Sequence, residues 1–437
     1  MTSKCLFVIS LLSIWLNSPC WSTDTNIIAQ RPNIVLIMAD DLGYECMGFN
    51  GSKQYKTPNL DQLASRGMRF TQCHAQPLCT PSRVKLMTGL SNARNYSAFS
   101  VLPRDQKTIG QYFKQAGYRT CVAGKWQLYG AEHYSPQFRG KGTLPEQAGF
   151  ESTCLWQVDK TGERFFAPLM HVDGENIQFG DDQYGPQVAT DYILEFIEQK
   201  REEAFFVYYP MILTHSPFVP TPLSKSRSSR DKQSNFADMV AYMDFTIGRI
   251  VNKVKDLGLA ENTLIMFVGD NGTHTALESE LGDQIIRGGK GKTNDAGTHV
   301  PLVAYWPGVI KPGEVNDNLI DMSDFLPTCL AACDIQTTSK LDGLSFLHQL
   351  TGESGKDREW IYCYYNPRPE RTQASYFIRD TRYKLYGDER FYDLKLDRLE
   401  TSPISSPKGT ALKAFKTLRT TLDSLPTSGE KLLQFPE

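Results

Sequence analysis

The chain has no excess of positive charge, no long apolar run and no cluster of soft metal ligands, and each absence narrows what it can do. Lysine and arginine number 47 against 49 acidic residues, a net charge of −2, so the basic footprint of a general nucleic-acid binder is missing. No segment provides the roughly 20 apolar residues that cross a bilayer. Cys-x-x-Cys pairs and histidine-rich tracts are absent, which argues against zinc. Without internal repeats or low-complexity tracts, 437 residues can bury a large core, as one big α/β domain with an appendage or as two domains.

The N-terminus is the one place where an apolar run matters. In "MTSKCLFVISLLSIWLNSPCWSTDT", Lys4 precedes an apolar stretch from Leu6 to Leu16, followed by a polar break with small residues. Residues 1–22 are therefore expected to be a secretory signal peptide, and the mature protein to be periplasmic or secreted, without a membrane span. A lipid anchor on Cys20 fits poorly with Pro19 before it. Eight cysteines lie beyond the signal. Export permits disulfides, but their irregular spacing favours buried, unpaired thiols.

Along the chain, short all-apolar runs alternate with helical patterns. "RPNIVLIMADD", "AFFVYYPMILTHSPF" and "NTLIMFVGDNG" read as strands covered on both faces. "TPNLDQLASRGMRF", "KTIGQYFKQAGYRT" and "FADMVAYMDFTIGRIVNKVKDLGL" read as helices, the first two stopped by glycine. "VPLVAYWPG" reads as a further strand, and the basic loop Ser224 to Ser234 as a solvated excursion. Polar residues gather after the strand ends, where a doubly wound, mostly parallel sheet sandwiched by helices presents its active site. After Gly352, "SYFIRDTRYKLYGDERFYDLKLDRLE" suggests an antiparallel hairpin sheet. The expected organisation is a catalytic domain over 31–352 and a small C-terminal α+β subdomain over 353–437.

Two acidic pairs follow strands: Asp40 with Asp41, and Asp270 with Asn271. Three carboxylates and an amide oxygen form a hard shell that suits Ca²⁺, or Mg²⁺ as second choice. Arg83, Lys125, His215 and Lys290 occupy similar loop positions. Together they would surround an anion beside the metal, with a helix N-terminus adding partial positive charge. Such a site suits hydrolytic transfer of a sulfuryl or phosphoryl group. In "PLCTPSRVKLMTGL", Cys79 lies at the start of a helix near Arg83. From its position alone it could be half of a disulfide, a thiolate nucleophile or the precursor of another group. A cysteine-dependent phosphatase would need five residues between the two, and here there are three.

"CTPSRVKLMTG", "PNIVLIMADDLGY", "AGKWQL", "VGDNGTH" and "RGGKGKTNDAGTHVPLVAYWPG" resemble the motifs of the type I sulfatases of the alkaline-phosphatase-like superfamily. The resemblance implies that a formylglycine-generating or anaerobic maturation enzyme oxidises Cys79 to formylglycine. The hydrated aldehyde supplies the nucleophile, and one of its oxygens joins Asp40, Asp41, Asp270 and Asn271 around the metal. Arg83 then helps to hold that group, Lys125 and Lys290 stabilise sulfate charge, and His215 is the general acid. The substrate implied is a sulfate ester, of a saccharide rather than of a simple aryl alcohol.

One position departs from the family pattern, which has histidine where this chain has Gln127. An amide can position sulfate or sugar but cannot take a proton near neutral pH. His74, close before Cys79, is a substitute to consider, although an ordinary structural histidine is the simpler reading. His299, where arginine is common in the family, puts little in doubt. The alternatives are a phosphonate or phosphate ester hydrolase using the same site, and a non-catalytic protein that binds sulfated glycans.

Overall fold

The computed structural model describes residues 1–2, 31–369 and 371–426; most of the expected signal peptide lies outside them. Among the described residues, no helix is long and apolar enough to cross a membrane.

The strands are β1 Asn33–Ala39, β2 Met68–His74, β3 Arg119–Lys125, β4 Ser152–Trp156, β5 Leu169–Val172, β6 Glu175–Gln178, β7 Phe205–Pro210, β8 Thr263–Gly269, a hairpin of β9 Glu278–Leu281 and β10 Gln284–Arg287, β11 His299–Tyr305, β12 Glu314–Asn316 and β13 Ile320–Asp321. Except for the hairpin they form one large sheet, ordered β12-β2-β11-β8-β1-β7-β3-β4-β5-β6, with β13 also on β2. Its centre, from β8 to β4, is parallel. β11 runs antiparallel to both β8 and β2, so the "VPLVAYWPG" strand reverses direction and the sheet is mixed. A second sheet, β14 Ile361–Tyr365, β15 Ser375–Arg379, β16 Tyr383–Tyr386 and β17 Phe391–Asp393, is antiparallel throughout.

β1 shows why its apolar run is continuous. Ile34, Leu36 and Met38 enter one core and Val35, Ile37 and Ala39 the other, because successive strand residues face opposite sides of a sheet. Helix α1 (Pro58–Arg66) and the helices Gly185–Gln199 and Lys232–Asp256 supply residues to the second core. Helix α2 (Cys79–Thr88) and the helices Ile109–Gln115 and Phe325–Ala332 supply the first. Burying each large apolar side chain contributes about 1.5–3 kcal/mol, and the two layers hold the parallel strand ends in fixed register. The basic loop is shorter than its sequence suggests: Asp231 caps the helix that begins at Lys232 by accepting from the Ser234 amide at 2.6 Å.

Candidate active site

The C-terminal ends of β1, β7, β3 and β8 deliver the site residues. β1 and β7 stay paired past their last ladder residues: the Asp40 amide donates to the Leu213 carbonyl (2.8 Å) and the Thr214 amide to the Asp40 carbonyl (2.7 Å), which brings His215 to the same edge. The Asp270 amide donates to the Ala39 carbonyl (2.9 Å), and the Asp41 amide to Asp270 Oδ1 (3.0 Å). Asp41 adopts φ 60°, which aspartate tolerates better than most residues. Gly124, with φ 121°, precedes Lys125; a Cβ there would lie 2.0 Å from the Pro210 carbonyl oxygen. Glycine is thus required where β3 presses on β7 and presents the lysine. The Gly291 amide donates to the Pro77 carbonyl (2.8 Å), tying the Lys290 loop to the approach to Cys79.

Each carboxylate of the cluster meets a cation. Lys125 Nζ lies 2.6 Å from Asp40 Oδ2, and Lys290 Nζ 2.6 Å from Asp41 Oδ2. Arg83 donates from Nε (3.3 Å) and Nη2 (3.1 Å) to Asp270 Oδ2, and from Nη1 to the Lys125 carbonyl (2.9 Å). Its hydrogen bonds therefore brace the carboxylates and the β3 end rather than Cys79. The carboxylates, Arg83 and Lys125 are all buried. Burial alone would raise the Asp40 carboxyl, but the charges of Lys125, His215 and Arg83 hold it well below its usual range. Burial, then the neighbouring Asp40 charge, pushes Asp270 up to about 8, so the local cations do not fully compensate three crowded carboxylates.

Cys79 is the first residue of α2 and 2% exposed. Its thiol donates to Gln127 Oε1 at 3.1 Å, and burial pushes its pKa up, contrary to an activated thiolate nucleophile. Gln127 sits at φ 53°, and its Nε2 donates to the Tyr134 hydroxyl (2.9 Å). Gln157 Nε2 donates to the same hydroxyl (3.2 Å). These contacts aim the amide oxygen of Gln127 at residue 79. His215 Nδ1 lies 2.7 Å from the Ser216 carbonyl, which can only accept. The ring hydrogen therefore sits on Nδ1, leaving Nε2 to accept from Lys290 Nζ at 3.0 Å. Burial lowers the His215 pKa to about 4.

A metal and the oxidised cysteine can be tested against the residues present. Asp40, Cys79 and Asp270 offer ligand atoms within 4.8 Å of one another, as do Asp40, Asp41 and His215. Two buried oxygens, Asp40 Oδ1 and Asn271 Oδ1, have no hydrogen-bond partner. Asn271 spends its amide hydrogens on Asp41 Oδ1 and the Gly272 carbonyl, each at 2.9 Å. Orphaned buried oxygens are costly unless something binds them, and a hard cation does so. The residues fit a divalent ion bound through oxygen. The oxygen acceptor of Gln127 facing position 79 also suits a hydroxylated group there.

Sequence reasoning placed Asp40, Asp41, Cys79, Arg83, Lys125, Gln127, His215, Asp270, Asn271 and Lys290 near one another, and the fold brings all ten to one edge. His74 is elsewhere engaged: its ring nitrogens meet Gln72 Oε1 (3.3 Å) and Arg379 Nη1 (3.3 Å). His299, near His74 at a ring-centroid distance of 4.7 Å, pairs with Asp295. His74 is therefore a structural histidine, not a substitute at position 127. Tyr134 and Gln157 were missed, because neither belongs to a motif and only the fold brings them to Gln127. All eight described cysteines are free and buried.

A mixed α/β sheet whose strand ends gather three carboxylates, three cations and a cysteine at a helix start defines a class of oxyanion-transferring hydrolases. Residues 32–335 match the family model described as Sulfatase, and residues 291–425 match that described as N-sulphoglucosamine sulphohydrolase, C-terminal. Arylsulfatase A of Homo sapiens is 32% identical over 82% of this chain and 75% of its own length. N-acetylgalactosamine-6-sulfatase of Mus musculus is 30% identical over 76% and 69%. The crystal structure of Ps i-CgsB superposes with a TM-score of 0.76 at 24% identity, covering 93% of this chain and 95% of that one. The chain belongs to the sulfatase family, and is a sulfuric ester hydrolase.

Proposed function

We propose that this enzyme hydrolyses sulfate esters of carbohydrates in the periplasm or outside the cell, at the cluster centred on Asp40 and with formylglycine made from Cys79. The observation that carries the reading is the pair of orphaned buried oxygens, Asp40 Oδ1 and Asn271 Oδ1, inside a ring of cations beside Cys79. Asp40, Asp41, Asp270, Asn271 and residue 79 would hold Ca²⁺, or Mg²⁺ as second choice, which supplies Lewis-acid polarisation. Formylglycine supplies, when hydrated, one hydroxyl to attack sulfur and a second whose proton can be removed so that sulfate departs.

The chain's own residues do the rest. Gln127 accepts a hydrogen bond from residue 79 and so orients it. Arg83 keeps Asp270 and the end of β3 in place. Lys125 and Lys290 bring fixed positive charge to the sulfate oxygens, where it stabilises the transition state without reorganisation. The Lys290 ammonium, held in place by its hydrogen bond to His215 Nε2, carries the proton that this pair can hand to the departing sugar alkoxide. The saccharide assignment draws support from the relative whose name specifies a sulfated sugar. Maturation of Cys79 requires a formylglycine-generating or anaerobic enzyme as partner.

The test combines peptide mass spectrometry at Cys79 with turnover of defined sulfated saccharides, nitrophenyl sulfate and the matching phosphate ester. Conversion of CH₂SH to CHO with sulfatase turnover is the expected result. Preference for the phosphate ester would overturn the sulfate assignment, and binding without turnover by fully converted protein would favour a non-catalytic glycan binder.

A further inference from the structure

The loop after β4 crosses the same edge and contains an arginine that the site as described does not use. Lys125 and Trp156 are register neighbours on β3 and β4. The pairing continues beyond them: the Trp126 amide donates to the Trp156 carbonyl (3.0 Å) and the Gln127 amide to the Gln157 carbonyl (3.1 Å). Residues after Trp156 are therefore led alongside Gln127. The loop is pinned, since Trp156 Nε1 donates to the Gly162 carbonyl (2.9 Å) and Lys160 pairs with Glu132 (2.9 Å).

In this loop the Arg164 guanidinium lies 4.6 Å from the Trp156 ring centroid and 5.4 Å from that of Phe165. Stacking on aromatic faces fixes its plane and leaves its edge free to donate. Arg164 is half-buried, and after burial the influences on its charge are Asp40, Asp41, Glu163 and Cys79, in that order. It thus stands within electrostatic reach of the site. Arg83, Lys125 and Lys290 each hold a carboxylate, whereas none of the N–H groups of Arg164 meets an acceptor among the described residues. A partly desolvated guanidinium with five free donors is an oxyanion receptor of fixed orientation.

We propose that Arg164 is a specificity residue that binds a second anionic group of the substrate, a sulfate or a carboxylate on the same or the adjoining sugar, while the scissile sulfate occupies the Asp40 cluster. This rests on the sulfatase reading and narrows its substrates to glycans with more than one negative charge near the cleaved ester. The guanidinium edge can engage either anion bidentately; neither the singly sulfated sugar nor an aryl sulfate has a group to place there.

The decisive experiment compares kcat/KM of the wild type with Arg164→Ala, Arg164→Gln and Arg164→Lys on three saccharides. One is singly sulfated, one bears a second sulfate, and one joins the sulfated sugar to a uronate; nitrophenyl sulfate is the reference. The Ala and Gln variants should lose roughly ten- to a hundredfold on at least one doubly charged saccharide and little on the singly charged substrates. Lys should retain part of that activity. The arm that responds distinguishes sulfate from carboxylate. Equal losses on singly and doubly charged substrates, or no loss on any, would overturn the proposal. Calorimetric binding of the two doubly charged saccharides to Cys79→Ala protein, with and without Arg164→Gln, gives the same comparison without turnover. Unweakened binding of both there would also overturn it. If converted wild type cleaves no sulfate ester, the sulfatase reading fails while the calorimetry still decides the role of Arg164. Thermal melts identify any variant that has lost its fold, and Gln, which keeps a planar polar group over Trp156, is the variant least exposed to that failure.

Discussion

Helix α2 projects side chains into two buried charge clusters that look alike and differ in one respect. Arg83 joins Asp40 and Asp270. Two residues on, Lys85 pairs with Asp321 at 2.7 Å, beside Asp324 and Arg358. In the second cluster every carboxylate oxygen has a donor. Asp321 accepts from Lys85, the Ser323 amide and the Ser323 hydroxyl. Asp324 accepts from Arg358 and from the Leu344 and Asp321 amides. The first cluster leaves Asp40 Oδ1 and Asn271 Oδ1 unpartnered. A satisfied buried network specifies structure; an unsatisfied one at a strand edge is available for a ligand. Charge and burial alone would not have separated the two.

Variants should break this symmetry. The largest effect is expected from Cys79→Ala, which should abolish turnover of nitrophenyl sulfate while the melting temperature stays close to wild type. Cys79→Ser should turn over poorly or stall, having a single hydroxyl; normal steady-state rates for it would count against the two-hydroxyl chemistry. Asp270→Ala should reduce both bound divalent metal, measured by elemental analysis, and turnover. The matched change on the other side, Asp324→Ala, strands the Arg358 guanidinium and should cost about 3–5 kcal/mol of stability by denaturant unfolding, with metal content of the folded fraction unchanged. Equal metal loss in both variants would erase the distinction.

Smaller effects sharpen the site itself. His215→Ala should slow saccharide sulfates, whose alkoxides leave poorly, far more than nitrophenyl sulfate, which needs no acid. Equal losses would remove His215 from proton transfer. Gln127→Ala should lower kcat/KM about two- to tenfold, the worth of the neutral hydrogen bond that orients residue 79. Gln127→His, which restores the family residue, should be tolerated.

The parallel centre of the fold was legible because β1, β7 and β8 are buried on both faces, and a short continuous apolar run that ends in polar residues is the pattern such burial demands. The reversal of β11 was not, since "VPLVAYWPG" has the same composition whichever way it runs and direction is set by tertiary pairing. Among site residues, Asp40, Asp41, Asp270 and Asn271 could be found from their place after strands, and Cys79 from its motif. His74 stands five residues before Cys79, yet lies at the end of β2, where Gln72 and Arg379 take its ring nitrogens; nearness in sequence misled. The division at residue 352 suggested by composition does not reflect weak contact: Lys85 Nζ donates to the Tyr362 carbonyl (3.2 Å) and Lys384 Nζ to the Thr293 carbonyl (2.6 Å). Tyr134 and Arg164 carry no sequence signal, because loops without motif bring them to Gln127 and Trp156.

Removing and restoring calcium shows whether the cluster with orphaned oxygens is a metal-dependent sulfate-ester site. Protein with Cys79 verified as formylglycine by peptide mass spectrometry is stripped with chelator and titrated with Ca²⁺ while nitrophenyl sulfate turnover and thermal melting are followed together. Metal dependence requires little turnover without the ion, recovery that saturates near one ion per chain, and a rise in melting temperature over the same range. Full turnover by protein shown to contain no divalent metal would contradict it.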